Sequence, residues 1–291
     1  MSDMQLQPES GGGFKLSAGI NIPPRPALLM ALQREMRKEE PDFRRIDQLL
    51  RRDAGMAGSL LKAANSAFYG ARRNVETIEA AILMVGMNQF GVLMTGLITR
   101  RVLAQGAMMM ARFWDVSEKR SAGMGYLAKQ TKLLPPELAF SFGLFCDIGI
   151  PLLKAHFPTY LKTLELANHG GQRFTQIEDE KHGINHTVAG AMLAESWGIA
   201  PDAVAAIRLH HTLEAIQDER VPVTVRRLVA SNLLVDRAIR TFRSEAGYDM
   251  RGHDEWEIAQ TGVNSALNLE PEDAERLCGE MKQAFASPLL N

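Results

Sequence analysis

The chain has 291 residues, of which 46% are hydrophobic and 23% are charged, the usual balance of a globular protein. Its 33 basic and 34 acidic residues leave a formal net charge of −1, which excludes a global electrostatic attraction to nucleic acid or to an anionic membrane. Two cysteines, Cys146 and Cys278, are too few for a disulfide framework and indicate a reduced, cytoplasmic protein. The first residues lack the basic and apolar regions of a secretory signal.

The predicted elements begin after an N-terminal tail. Residues 1–18 contain three consecutive glycines and few apolar side chains, so we expect a disordered tail there. Ordered structure is predicted to start near Ile22, where Pro23, Pro24 and Pro26 favour extended backbone.

Residues 19–106 predict a first group of helices. Apolar side chains recur there at the 3.6-residue spacing of helices with one buried face. Asp53 and Thr77 are predicted to cap two of these helices at their N-termini. The apolar positions are Leu28, Leu29, Leu32, Met36, Phe43, Ile46, Leu49, Leu50, Met56, Leu60, Leu61, Ile78, Ile82 and Val85.

One segment of this group is long enough to cross a membrane. Ala80–Thr99 contains no charged residue over 20 positions. However, Asn88 and Gln89 lie at its middle, and three glycines interrupt it. We therefore predict two buried helices that meet near Gly86–Asn88 in place of one membrane span.

Residues 107–212 predict a second group of helices, which residues 213–291 complete. No sustained alternation of period two and no hairpin signal indicates a sheet. The sequence thus predicts an all-α, multi-helix bundle of about a dozen helices with an N-terminal helical lobe. The predicted helices cover residues 108–130, Pro136 to Phe145, a short stretch after Pro158, His186 to Trp197, residues 203–211, the region around 228–239 and a stretch after Pro271.

Several phrases, taken in order, resemble the HDOD domain family over residues 19–212. They are Ile22–Pro23–Pro24–Arg25–Pro26, the stretch from Arg52 to Gly70, Ile78 to Gly86, Phe113–Trp114, Phe142 to Gly149, His186, Trp197 and His210–His211. The resemblance implies a helical domain related to the HD metal phosphohydrolases, in which His and Asp side chains from several helices bind one or two divalent metals.

Compared with those enzymes, half of the metal ligands are replaced. Val116 stands where they typically have a His, and the His–Asp doublet reads Cys146–Asp147. Asn232 aligns with their late Asp, whereas His186 and the pair His210–His211 are retained. The resemblance therefore implies a vestigial metal site, with Cys146, Asp147, His186, His210, His211 and Asn232 as its candidate residues.

Three interpretations of these residues remain open at this point. They are a hydrogen-bonded polar cluster between helices, a weak divalent-metal site, or a working three-ligand site made by Asp147, His186 and one of His210 or His211. We expect the first, and so no cofactor beyond weak binding of a divalent metal.

The loss of ligands favours a non-catalytic protein, and the resemblance implies a regulatory module of a bacterial signalling pathway. We expect such a module to bind a protein partner, as either a monomer or a homodimer. The alternative is a metal-dependent phosphohydrolase that acts on a nucleotide or cyclic dinucleotide. Nucleic-acid binding is a third, less favoured hypothesis. It depends on five arginines between residues 223 and 243: Arg226, Arg227, Arg237, Arg240 and Arg243.

Overall fold

The computed structural model describes residues 7–8, 14–15, 20–51, 54–66, 74–103, 110–168, 172–248 and 254–285. Within this part of the chain the elements are α-helices, apart from a 3₁₀ turn at Leu213–Ile216 and three two-residue strands. The all-α prediction is confirmed.

The first helical group contains five helices among the residues that the structure describes, and its core follows the predicted apolar positions. Ile46, Leu50, Leu60 and Phe90 are fully buried. Thr77 caps its helix as predicted, by accepting a hydrogen bond from the backbone N–H of Ala80, whereas Asp53 lies outside the described residues. The helices are α1 (Ala27–Met36), α2 (Phe43–Arg51), α3 (Ala54–Ala64), α4 (Ile78–Val85) and α5 (Met87–Leu103).

The uncharged segment folds as two helices, as predicted. Helices α4 and α5 meet at Gly86, whose φ of 85° is a backbone conformation that glycine adopts without strain, and they are bent by 114°. Pro136–His156 also has the length and hydropathy of a membrane span, but 72% of its most apolar window is buried inside the protein. Both segments thus have the burial of core helices.

In the described part of the chain, the second helical group contains ten helices. Helix α6 packs along α7, α13 and α15, and α13 also contacts α12 and α14, so the C-terminal helices cover the same core as α6 and α7. The two groups meet where α5 contacts α7 and α8. The helices are α6 (Ala111–Thr131), α7 (Pro136–Phe145), α8 (Gly149–His156), α9 (Tyr160–Asn168), α10 (Phe174–His182), α11 (His186–Ser196), α12 (Pro201–Leu209), α13 (Val223–Glu245), α14 (Glu255–Leu267) and α15 (Pro271–Phe285).

Three of these helices were not predicted from the sequence. Helix α10 carries four charged side chains and buries only Ile177 and Glu178, so it lacks an apolar stripe. Helix α8 follows α7 after a turn at residues 146–148, and its apolar residues merge with those of α7 in the sequence. Helix α14 buries Trp256, Ala259, Val263 and Leu267. These residues have helical spacing, so the sequence does contain the apolar pattern that predicts this helix.

The N-terminal tail differs from the prediction at four residues. Gln7–Pro8 pairs with Phe14–Lys15, and Phe14–Lys15 pairs with Asn21–Ile22, in antiparallel strands β1, β2 and β3. Such pairing satisfies backbone N–H and C=O groups without any apolar pattern in the side chains, so composition did not reveal it. The rest of residues 1–18 lies outside the described residues, as do the predicted lobe boundary between residues 106 and 107 and the stretch 67–73.

Candidate functional site

Four side chains converge at the ends of three helical segments. Asp147, His186, His210 and His211 place one ligand atom each within 4.8 Å of the others. Asp147, His210 and His211 also line a cleft of about 270 Å³, which Phe174 and residues of α6, α9 and α13 complete. These are four of the six candidate residues from the sequence.

The backbone explains why they meet. Helix α7 ends at Phe145, so Asp147 lies in the turn before α8, while His186 begins α11 and His210–His211 follow the end of α12. Helices α8 and α11 touch through two glycines: a Cβ on Gly149 would lie 2.0 Å from the carbonyl oxygen of His186 and 2.8 Å from the nitrogen of Gly190. Only glycine at position 149 allows this close approach.

His186 is held in one orientation by a buried carboxylate. Its Nδ1 lies 2.6 Å from Oε2 of Glu178, which also accepts the backbone N–H of His186 at 3.2 Å. The Tyr160 hydroxyl donates to Oε1 of Glu178, and Phe174 stacks on the imidazole with 4.8 Å between ring centroids. Because Glu178 accepts the Nδ1 proton, the Nε2 of His186 faces the cluster.

His210 is oriented by a backbone carbonyl. Its Nδ1 lies 2.8 Å from the carbonyl oxygen of Ile207, and a carbonyl only accepts, so Nδ1 carries the proton. Its Nε2 lies 3.2 Å from Oδ1 of Asp147 and 3.3 Å from Nε2 of His186. The third side of this triangle, from His186 Nε2 to Asp147 Oδ1, is 3.6 Å.

Three electron-pair donors thus face one point, and a positive charge is required between them. Burial lowers the pKa of His210, but Cys146 and the hydrogen bond to Asp147 outweigh burial and raise that pKa to about 9. At neutral pH the Cys146 thiol is uncharged, because burial raises its pKa, whereas Asp147 is ionised, so the hydrogen bond to Asp147 is the contribution that keeps the pKa of His210 raised. At neutral pH the proton on Nε2 of His210 therefore supplies this charge.

The other oxygen of Asp147 faces a permanent cation. Nη2 of Arg120 lies 3.1 Å from Oδ2 of Asp147 and 3.3 Å from Oδ1 of Asp236, and its Nη1 donates to Oδ1 of Asn232 at 3.0 Å. Burial opposes ionisation of Asp147, but Arg120 and His210 together hold the pKa of Asp147 well below its usual value. The guanidinium is itself buried.

Two of the replaced positions, Val116 and Asn232, lie on the Arg120 side of Asp147, and Cys146 lies between the two sides. Asn232 accepts from Arg120, and the Cys146 thiol lies 3.7 Å from the same Asn232 oxygen. Val116 is one helical turn before Arg120 on α6. Asp147 therefore separates two halves: an Arg120 half, which contains Val116 and Asn232, and a histidine half, which contains His186 and His210. The Cys146 thiol contacts both.

His211 belongs to the rim of the cleft. Its Nδ1 lies 2.9 and 3.0 Å from the two carboxylate oxygens of Glu255 at the start of α14. Its side chain is 25% exposed, whereas His186 and His210 are buried.

Sequence reasoning missed Arg120, Glu178 and Glu255. The spacing of Arg120 from Val116 was available in the sequence, since residues four apart share a helix face. Glu178 lies in α10, where no helix was predicted, and Glu255 is 44 residues away from its partner His211. The partners of these two carboxylates depend on the tertiary fold.

The histidine half matches the geometry of a divalent metal site. Ligand bonds of about 2.0–2.1 Å in a tetrahedral site place neighbouring donors about 3.3 Å apart, and the three separations here are 3.2, 3.3 and 3.6 Å. Glu178 and the Ile207 carbonyl supply the outer hydrogen bonds that metal-binding histidines usually make. The Arg120 half does not fit, because a guanidinium occupies it and its side chains offer no imidazole.

Comparisons with known proteins agree with this architecture. A crystal structure of an HDOD domain protein from Geobacter sulfurreducens aligns over 92% of both chains, with a TM-score of 0.68 and 18% identity. A Shewanella amazonensis protein provisionally described as a phosphohydrolase aligns over 90% of this chain and 92% of its own, with a TM-score of 0.66 and 21% identity. A Marinobacter aquaeolei protein provisionally described as a signal transduction protein aligns over 98% of this chain and 61% of its own, with a TM-score of 0.67 and 20% identity.

Two curated relatives are much longer than this chain. An uncharacterized protein of Treponema pallidum is 24% identical over 81% of this chain and 46% of its own length. The protein YuxH of Bacillus subtilis is 25% identical over 48% of this chain and 34% of its own. The chain thus spans less than half the length of these relatives.

The sequence profile of the HDOD domain family matches residues 22–213, about two thirds of the chain, in agreement with the resemblance seen in its motifs. The chain belongs to the HDOD domain family.

Proposed function

We propose that this protein is a non-catalytic regulatory module of bacterial signal transduction that acts by binding a protein partner. The observation that carries the proposal is the contact of Arg120 with Asp147. An acidic residue that would bridge or bind metal ions in an HD enzyme is here neutralised by a side chain of the same protein.

The Arg120 half of the pocket supports this proposal through its charge. Arg120 cannot lose its proton at any physiological pH, so its positive charge is permanent. A divalent ion at Oδ1 of Asp147 would lie on the same carboxylate as the guanidinium, and the two positive charges would repel each other across a buried site. Metal activation of water requires firm binding, which this arrangement opposes.

The alternative function is a metal-dependent phosphohydrolase of the HD superfamily, and the histidine half favours it. Asp147, His186 and His210 would hold a single divalent ion, which when bound would activate water and bind a phosphate oxygen. The solved structures of similar fold carry both kinds of description, and identities near 20% show the fold alone.

Metal content and hydrolysis distinguish the two functions. Protein purified without chelator should contain well under one equivalent of manganese, iron or zinc by mass spectrometry. With added Mn²⁺ it should hydrolyse bis(p-nitrophenyl) phosphate no faster than the Asp147→Ala variant does. Near-stoichiometric metal together with hydrolysis that Asp147→Ala abolishes would establish the phosphohydrolase and overturn our proposal.

The partner and the assembly state belong to the same proposal. The six exposed large hydrophobic side chains of the described residues belong to different segments of the chain, and Met110, the one described residue of the methionine run 108–110, is buried. Sedimentation of the purified chain would decide between a monomer and a homodimer. A cytoplasmic location follows from the proposed role and would be checked by cell fractionation.

A further inference from the structure

Three of the five arginines that raised the nucleic-acid hypothesis are neutralised within the protein. Arg237 pairs with Glu275, Arg240 Nε lies 3.7 Å from Asp254, and Arg243 Nη1 lies 3.3 Å from Asp115. These three ion pairs therefore connect α13 to neighbouring elements. Only Arg226 and Arg227, at the beginning of α13, remain to be explained.

Arg226 and Arg227 form no ion pair with the described residues. The Nε atoms of both are buried and lack a hydrogen-bond acceptor there. Arg227 makes one long hydrogen bond, 3.5 Å from Nη1 to the carbonyl oxygen of Leu133. Asp218, whose pKa Arg226 helps to lower, is already bound through both oxygens by Arg220.

Both side chains line a recess of about 390 Å³ between the start of α13 and the end of α14. Gln217 and Ser265 add polar groups to its wall, and its one acidic lining residue is Glu219, which is exposed. The recess is large enough for a small ligand, since ligand pockets begin at about 300 Å³. With two arginines and one glutamate, the lining of the recess carries a net positive charge.

The backbone at the start of α13 adds donors beside the recess, where Val223 is one of the lining residues. Pro222 is the N-cap of α13 and has no side-chain acceptor, and the first turn contains no acidic residue. No acceptor among the described residues reaches the N–H groups of Val223, Thr224 or Val225. Uncapped N–H groups at the start of a 23-residue helix, beside two unpaired guanidiniums, favour an anion.

We propose that this recess, which we call the α13 recess, binds the phosphate group of a small phosphorylated ligand. Two guanidiniums offer planar pairs of N–H donors that match phosphate oxygens, and a phosphate would also satisfy the orphaned backbone donors. The site is separate from the Asp147 cluster and does not depend on the proposed regulatory function.

Calorimetric titration tests the proposal with two probes, inorganic phosphate and AMP, each matched for ionic strength with KCl. We expect saturable binding of at least one probe, weakened at least tenfold in the double variant Arg226→Gln/Arg227→Gln. Tighter binding of AMP than of phosphate would identify a nucleotide as the ligand class, and equal binding would limit recognition to the phosphate. Arg237→Gln removes one charge from the same helix but lies outside the recess, so it should bind like the unmodified protein.

A second variant tests the proposal in case the double variant does not fold. Ser265→Glu keeps both arginines and places a carboxylate in the recess at an exposed position, so it should abolish binding while the circular dichroism spectrum is unchanged. Absence of binding of both probes at 20 mM would overturn the proposal. Binding that persists unchanged in both variants would overturn it equally.

Discussion

Arg120 and Asp147 are joined by a contact of 3.1 Å between Nη2 and Oδ2, while the Nε2 atoms of His186 and His210 lie 3.6 and 3.2 Å from the other oxygen of Asp147. This contact gives one carboxylate two different surroundings. Its Oδ2 belongs to a permanent ion pair, while its Oδ1 completes a triangle of donors that would otherwise suit a metal ion. The protein thus keeps half of a metal site beside a resident cation.

Removing the guanidinium should strengthen metal binding. In the variant Arg120→Gln, the repulsion between the guanidinium and a divalent ion on Asp147 disappears, so we expect Co²⁺ and Zn²⁺ to bind at least about tenfold more tightly. The d–d absorption of Co²⁺ reports the geometry, and competition with a chromophoric chelator gives the affinity.

The control for this variant is Arg240→Gln, which removes a charge from the same cleft, and it should change metal affinity less. Since Arg120 also balances Asp236, the double variant Arg120→Gln/Asp236→Asn offers a second protein with fewer unpaired charges. If both Arg120 variants bind metal no better than the unmodified protein does, the guanidinium is not what weakens the site.

The ion pair of His210 should make stability depend on pH. The pKa of His210 is about 9 in the folded protein and 6.5 for an ordinary histidine, so its contribution is fully present below pH 6.5 and is lost as pH rises through 9. A shift of this size corresponds to a loss of up to about 3 kcal/mol in the free energy of unfolding. Urea unfolding at pH 6.5, 7.5 and 9, with chelator present, measures this loss.

The variant His210→Gln provides the comparison for that measurement. It lacks the titrating imidazole, so its free energy of unfolding should change less between pH 6.5 and 9. Parallel curves for the two proteins would show that another group causes the dependence on pH.

The sequence predicted the histidine half of the site better than the Arg120 half. His186 lies on a helix whose apolar residues Ala189, Leu193 and Trp197 are buried, so periodicity alone placed it inside. The contact of Arg120 with Asn232 joins residues 112 positions apart, and only the packing of α6 on α13 brings them together. Helical spacing places Arg120 on the same face as Val116, but charged side chains are usually exposed, so the pattern gave no reason to expect a buried partner for it.

The helices show the same difference between features that local sequence predicts and features that depend on the tertiary fold. Helices with a clear apolar stripe, such as α1 and α15, were predicted within a few residues of their ends. Helix α10 was missed because its most important buried residue is a carboxylate, Glu178, whose burial depends on Tyr160 and His186 from other segments. Local pattern reveals helices that bury apolar faces, and does not reveal those that bury a polar partner.

Loss of the Tyr160 hydroxyl should destabilise the protein. In Tyr160→Phe, the fully buried Oε1 of Glu178 loses its donor, which should lower the free energy of unfolding by about 1–3 kcal/mol in urea denaturation. Tyr126→Phe is the matched control, because Tyr126 also donates to a carboxylate, at 2.8 Å, but the carboxylate of Glu280 reaches solvent. That variant should cost less than about 1 kcal/mol. Equal losses would mean that burial of Glu178 adds nothing to the value of its hydrogen bond.

The close approach of α8 and α11 predicts that alanine is not tolerated at Gly149. The added Cβ would lie 2.0 Å from the His186 carbonyl oxygen and 2.7 Å from its carbon, both of which are backbone atoms, so the two helices must separate. Gly149→Ala should therefore lower the free energy of unfolding by about 3 kcal/mol or more, and the imidazole NMR signals of His186 should move as it leaves Asp147.

Gly279→Ala is the control for that substitution, since a Cβ at this exposed position of α15 meets no atom within 4 Å outside its own helix. There alanine should raise the free energy of unfolding by about 0.5–1 kcal/mol, because it restricts the unfolded chain and favours helix. A Gly149→Ala protein of unchanged stability, with His186 signals in place, would show that α8 can move away from α11 without cost. In that case the geometry of the histidine half would be set by Glu178 and Ile207, the partners of the two imidazoles, and not by the contact between the helices.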